Sequence, residues 1–183
     1  MPRRSRRNWG QTPFFCILKK WGLSPIFLFC LLAGSAHAQE RSIELGGETL
    51  RYSMRVDPAD GGALATAREL ARDLTAGDLK AASMLSNAPA RRYEVLREYR
   101  DWVGPDEFKR VYAQYFSPRS RVVAEISIGR HRLLVWKLDG SDHLAGQFYA
   151  DIGGRFWLDD VPSAERARLR RLLEAYRAGK LGN

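Results

Sequence analysis

His131, His143, Asp151, Asp159 and Asp160 stand close together in the last third of the chain, with Arg155 among them. An imidazole beside a carboxylate is the pairing of a general base, and several such groups converging would begin a metal site. Strand arithmetic limits both. His131 and His143 fall at opposite ends of one strand pair, roughly 26 Å apart at about 3.3 Å per residue, so they do not share a metal. Asp159 and Asp160 are adjacent on an extended segment and point to opposite faces, so they do not chelate together. A zinc site needs three or four converging ligands, and the sequence supplies no such set and implies no cofactor. What remains is a His131–Asp151 dyad as the candidate catalytic pair. Against it stands a plain cross-strand ion pair of Asp151 with Arg155. The place of the pair at a sheet end, and the absence of a serine-nucleophile, phosphate-loop or dinucleotide motif, favour the ion pair.

These residues need strands to hold them, and the pattern from Arg121 to Leu158 reads as an antiparallel meander. Loops of about three residues give a register. Ile126 then faces Leu134, Ala124 faces Trp136, Leu134 faces Phe148, Ala150 faces Phe156, and His131 faces Asp151. One face becomes almost wholly apolar, with Val122, Ala124, Ile126, Leu134, Trp136, Phe148 and Leu158, and must lie against helices. The other face is mixed. Its apolar centre makes Leu133, Val135, Gln147, Tyr149 and Trp157 the candidate binding surface, for a second copy of the chain or an envelope protein partner.

Upstream, Ile43 and Leu45 alternate with polar residues, as do Leu50, Tyr52, Met54 and Val56, around Gly46-Gly47, so an N-terminal β-hairpin is expected. Four helices follow. Leu64, Ala67, Leu70, Ala71 and Leu74 form one stripe that Gly77 ends. Asp78 caps a short second helix. Tyr93, Leu96, Tyr99 and Val103 mark a third helix, with Trp102 beside the stripe. Pro105 opens a fourth, carrying Phe108, Val111, Tyr112 and Tyr115. Such aromatic stripes are usually core, yet Tyr93, Tyr99, Trp102 and Tyr112 are also the candidate lining of a ligand pocket. Ser163 caps a last helix with Leu169, Leu172, Leu173 and Tyr176 inward and an arginine-rich outer face.

The first 38 residues read differently. Arg3, Arg4, Arg6, Arg7, Lys19 and Lys20 precede an apolar run from Leu23 to Ala33 and the small residues of Ala36-His37-Ala38. This predicts a secretory signal peptide cleaved after Ala38 and a periplasmic or secreted protein. The apolar run is too short for a stable transmembrane segment. The whole chain carries 30 Lys+Arg, 21 Asp+Glu and a net charge of +9. Without the six basic residues of the signal, 24 basic residues face 21 acidic ones, a net of +3. The basic excess is therefore largely export signal, and a nucleic-acid partner is not expected. Cys16 and Cys30 also lie in the signal, which leaves the rest without disulfide or thiolate chemistry. Residues 39–183 are enough for one hydrophobic core, hence one α+β domain.

The stretch "LARDLTAGDLKAASMLS", residues 70–86, and the late "GGRFWLDDV", residues 153–161, resemble nuclear-transport-factor-two-like domains. The resemblance covers about residues 65–161. It implies a cone of helices wrapped by a curved antiparallel sheet, with a pocket between the helices and the concave face. The family includes polyketide-cyclase-like and isomerase-like enzymes, which place an Asp, Glu or His in that pocket. This chain has no strand between its second and third helices, adds a hairpin and a last helix, and offers that face only Arg132 as a charged group. No catalytic residue carries over. The reading at this point is an exported, non-catalytic binding or envelope-assembly module that uses the mixed sheet face. The alternative is a small-molecule-binding or enzymatic domain with a pocket inside the cone.

Overall fold

In the computed structural model, residues 39–58 and 60–181 are described; the expected signal peptide, with Cys16 and Cys30, lies outside them. The chain is α+β. Strands β1 (Gln39–Leu45) and β2 (Glu48–Val56) form the expected hairpin. Helices α1 (Gly62–Ala76), α2 (Leu79–Ser83), α3 (Pro89–Val103) and α4 (Pro105–Ala113) follow, and a 3-10 turn over Gln114–Phe116 leads back to the sheet. Strands β3 (Arg121–Ile128), β4 (His131–Lys137), β5 (Leu144–Ile152) and β6 (Arg155–Leu158) make the meander, and α5 (Ala164–Arg177) closes the fold. All six strands belong to one antiparallel sheet in the order of the chain.

The helix boundaries follow local chemistry. Asp78 accepts a 2.9 Å hydrogen bond from the Ala81 amide at the start of α2, and Ser163 accepts one of 3.1 Å from the Arg166 amide at the start of α5, each satisfying an otherwise orphan N–H. Gly77, at φ 81°, ends α1, and proline opens both α3 and α4.

The sheet is covered on both sides. On one side α1–α4 pack Leu64, Ala67, Leu70, Leu74, Leu79, Leu96 and Phe108 against Val122, Leu134, Trp136, Tyr149 and Leu158. On the other, α5 packs Leu169, Leu172 and Leu173 against Leu50, Tyr52, Met54, Ala124, Ile126, Leu133 and Val135. Leu169 and Leu172 are fully buried there, each worth about 1.5–3 kcal/mol of apolar burial. Glu48 ties the hairpin to α5 through Arg168 at 2.8 Å and Arg171 at 2.5 Å. Those two guanidinium partners hold its carboxyl below the usual range.

The register differs from the three-residue-loop expectation, and the faces change with it. Ile126 pairs with Leu133, not Leu134, and Ala124 with Val135, not Trp136. Phe148 pairs with Leu133, and Tyr149 rather than Phe148 pairs with Leu158. There are two causes. The β3–β4 and β5–β6 connections are two-residue turns, Gly129-Arg130 and Gly153-Gly154, the second with both φ positive, at 67° and 81°, as the tight hairpin turns require. A bulge between Val122 and Ala124 then turns β3 over partway along, sending Val122 to the α1–α4 side and Ala124 and Ile126 to the α5 side.

Candidate functional site

The expected binding surface is therefore not one surface. Leu133 and Val135 are fully buried beneath α5, while Tyr149 is fully buried on the opposite side, against α1–α4. Gln147 is on the Tyr149 side, opposite Leu134. Trp157 is half-buried, with the Arg155 guanidinium 4.6 Å from its ring centroid. The last helix expected from the sequence covers Leu133 and Val135.

The His131–Asp151 dyad is not formed. His131 pairs with Ala150 across the strands, and Asp151 accepts a 2.9 Å hydrogen bond from the Gly154 amide, closing the β5–β6 turn. His131 meets Asp159 instead, Nδ1 to Oδ2 at 3.1 Å. Asp159 is 2 % exposed, and its other oxygen accepts from Asn87 Nδ2 at 2.8 Å. Asp160 turns the other way, as expected for adjacent extended residues. Its carboxylate is held by both ends of the Arg92 guanidinium and by the Ser86 hydroxyl at 2.7 Å. Backbone bonds join the same segments: the Leu158 amide donates to Leu85 O at 2.8 Å and the Asn87 amide to Leu158 O at 3.0 Å. "LSN" at 85–87 and "LDD" at 158–160 thus form one lock between the α2–α3 connection and the end of β6. No serine or threonine hydroxyl among the described residues hydrogen-bonds His131, and no three His, Cys, Asp or Glu side chains among them gather as metal ligands.

Beside this lock lies a cavity of about 310 Å³. Leu70 and Leu74 of α1 and Leu96 of α3 make its apolar wall. Tyr112 and Tyr115 come from the α4 side, Gly146, Gln147 and Phe148 from β5, and Asp159, Asp160, Arg92 and Arg166 from the lock and α5. A row of rings leads into it: Tyr99 to Phe108 at 5.8 Å, Phe108 to Tyr112 at 4.9 Å, Tyr112 to Tyr115 at 6.5 Å and Tyr115 to Trp136 at 5.1 Å. The row ends on Gln147, whose Oε1 accepts from Trp136 Nε1 at 3.0 Å and from the Tyr149 hydroxyl at 3.1 Å. Burial pushes the Tyr112 hydroxyl up to about 12. Burial also raises Tyr115, against a hydrogen bond from Gln147 that lowers it, and raises Tyr149. All three phenols stay protonated at neutral pH and act as hydrogen-bonding groups rather than bases.

Of the four aromatics expected to line a pocket, only Tyr112 borders this one. Tyr99 packs between Trp102 and Phe108, Tyr93 is 36 % exposed and Trp102 82 % exposed on the outside of α3. Arg132, the charged residue expected on the concave face, sits near Glu125 at 3.4 Å and over the Phe156 ring. Arg166 belongs to the arginine-rich outer face expected of the last helix, and nothing in the sequence singles out Arg92. A second, polar groove of about 360 Å³ runs over β2, β3 and β4 between Arg51, Arg55, Glu125 and Arg132; it lies on the sheet surface and lacks an apolar wall.

The chain matches no family model, no curated protein and no solved structure.

Proposed function

We propose that this is an exported small-molecule-binding domain whose ligand lies in the cavity between α1, α3, α4 and β5. The carrying observation is the cavity itself: an apolar wall of Leu70, Leu74 and Leu96 opposite a few polar groups, Tyr112, Gln147 and the arginines, is the usual make-up of a ligand site. The reading is binding rather than catalysis. The phenols are held protonated, and the two carboxylates at the rim are engaged by Arg92, Ser86, Asn87 and His131. The resemblance to nuclear-transport-factor-two-like cones supports the same location, and the N-terminal segment supports export. The test is ligand-observed NMR against a library of small organic molecules. Ligands that compete with one another and are lost in Leu74→Phe, which pushes a ring into the cavity, are expected. Ligands that bind Leu74→Phe as well as the parent, or an empty screen, would overturn the reading.

A second reading keeps association as a role but moves it off the sheet. The supporting observation is the exposed apolar groove between α2 and α3, where Met84 and Tyr93 meet Pro89 and Ala90. Its proposed occupant is a second copy of the chain.

A further inference from the structure

Arg166 stands apart from the other charges around the cavity. Its Nε is the one buried side-chain nitrogen or oxygen among the described residues with no hydrogen-bond partner. The guanidinium makes no ion pair there; its contact is with a ring, 5.7 Å from the Phe148 centroid. Protein interiors rarely leave such a donor unmatched, because an unpaired buried N–H loses its water without compensation. Tyr112 borders the same cavity, and its hydroxyl, which is not fully buried, has no hydrogen-bond partner among the described residues and is available to a ligand. The acidic groups of the same wall are matched. Asp160 is gripped by Arg92 and Ser86, and Asp159 by Asn87 and His131.

We propose that the cavity takes a small apolar carboxylic acid, with its carboxylate at Arg166 and Tyr112 and its hydrocarbon part against Leu70, Leu74 and Leu96. A planar carboxylate matches the fork of a guanidinium better than it matches any other side chain, and a protonated phenol donates to the same group. The Arg166 guanidinium lies over the Phe148 ring, a cation–π contact between two residues that both line the cavity. This proposal rests on the reading of the cavity as the binding site and adds the class of ligand.

The test is calorimetric titration with two matched pairs: 3-phenylpropanoate against 3-phenylpropanamide, and hexanoate against hexanamide. On the unmodified protein each acid is expected to bind at least about tenfold more tightly than its amide, the scale of one charge-assisted contact. Arg166→Gln should bring the acid down to its amide, and Tyr112→Phe should weaken the acid several-fold, with each variant's thermal midpoint near the parent's. Amides that bind as well as acids, both lost in Leu74→Phe, would overturn the acid proposal and leave the cavity reading standing. Acids that bind equally well to Leu74→Phe would overturn both. No binding by any of the four would overturn the acid proposal, and the wider screen then decides the cavity reading separately.

Discussion

Asp159 shows how one carboxylate can look catalytic and act as a structural tie. It is buried, it touches a histidine, and it borders a cavity. Those are the marks of an active-site acid. Yet its second oxygen is taken by Asn87 and its amide donates to Phe148 O at 2.8 Å, so the residue joins three separate segments. Asp159→Ala leaves Asn87 Nδ2 and His131 Nδ1 without their acceptor. The expected loss is about 2 kcal/mol, the typical penalty for stranding buried polar groups. Urea unfolding checks it. Asp159→Asn, which keeps one acceptor oxygen, should lose less. By contrast Asp151→Ala, at the hairpin turn, should change stability little. Equal losses at Asp159 and Asp151 would contradict the assignment of the lock.

The packing of α5 depends on one glycine. A Cβ at Gly146 would lie 2.4 Å from Leu173 Cδ2 and 3.2 Å from Leu133 Cδ1, so β5 and α5 meet this closely because no side chain intervenes. Gly146→Ala is expected to cost about 1–3 kcal/mol through overpacking. Leu173→Ala alone should cost about 2–5 kcal/mol as a cavity. Combined, they should cost clearly less than their sum, because the alanine methyl occupies space the leucine vacates. Additive losses in a denaturant double-mutant cycle would show that the two do not touch. This contact also marks the limit of what could be read from the chain. Asp78, Gly77, Pro105 and Ser163 declared the helix ends because capping is chemistry between near neighbours. The hairpin at Gly46-Gly47 was legible for the same reason. The faces of the meander were not. They depend on whether Gly129-Arg130 and Gly153-Gly154 close as two residues or three, and on one bulge at Val123, and a single-residue difference carries every side chain to the opposite face. Leu133 and Val135 therefore lie on one side of the sheet and Tyr149 on the other, where the expected register puts all three on one face. Of the residues that border the cavity, the expected pocket lining includes only Tyr112, and Arg92 and Arg166 carry no pattern that separates them from solvated arginines.

Seen as one molecule, the domain has three layers, and its last helix changes where apolar surface remains. With α1–α4 on one side of the sheet and α5 on the other, the sheet centre has no face left to offer a partner. Exposed apolar side chains collect instead on the outside of α2 and α3: Met84 is 58 % exposed and Tyr93 36 % exposed, and together they border a shallow groove with Pro89 and Ala90. α3 has only Leu96 as a fully buried residue; Arg92, Tyr99 and Val103 hold it further along, and Tyr93 and Trp102 face outward. Contiguous apolar patches of this kind mark association sites more often than chance surface. If copies of the chain pair there, light scattering over a range of concentrations should show a dimer that Met84→Glu with Tyr93→Glu splits and that Trp157→Asp leaves intact, since Trp157 sits beside Arg155 on the other part of the molecule's sheet. The reverse pattern, with Trp157→Asp splitting the dimer, would return association to the sheet, at its β6 edge where Trp157 is half-buried. A monomer at every concentration would remove self-association from the account and leave the cavity as the binding site to pursue.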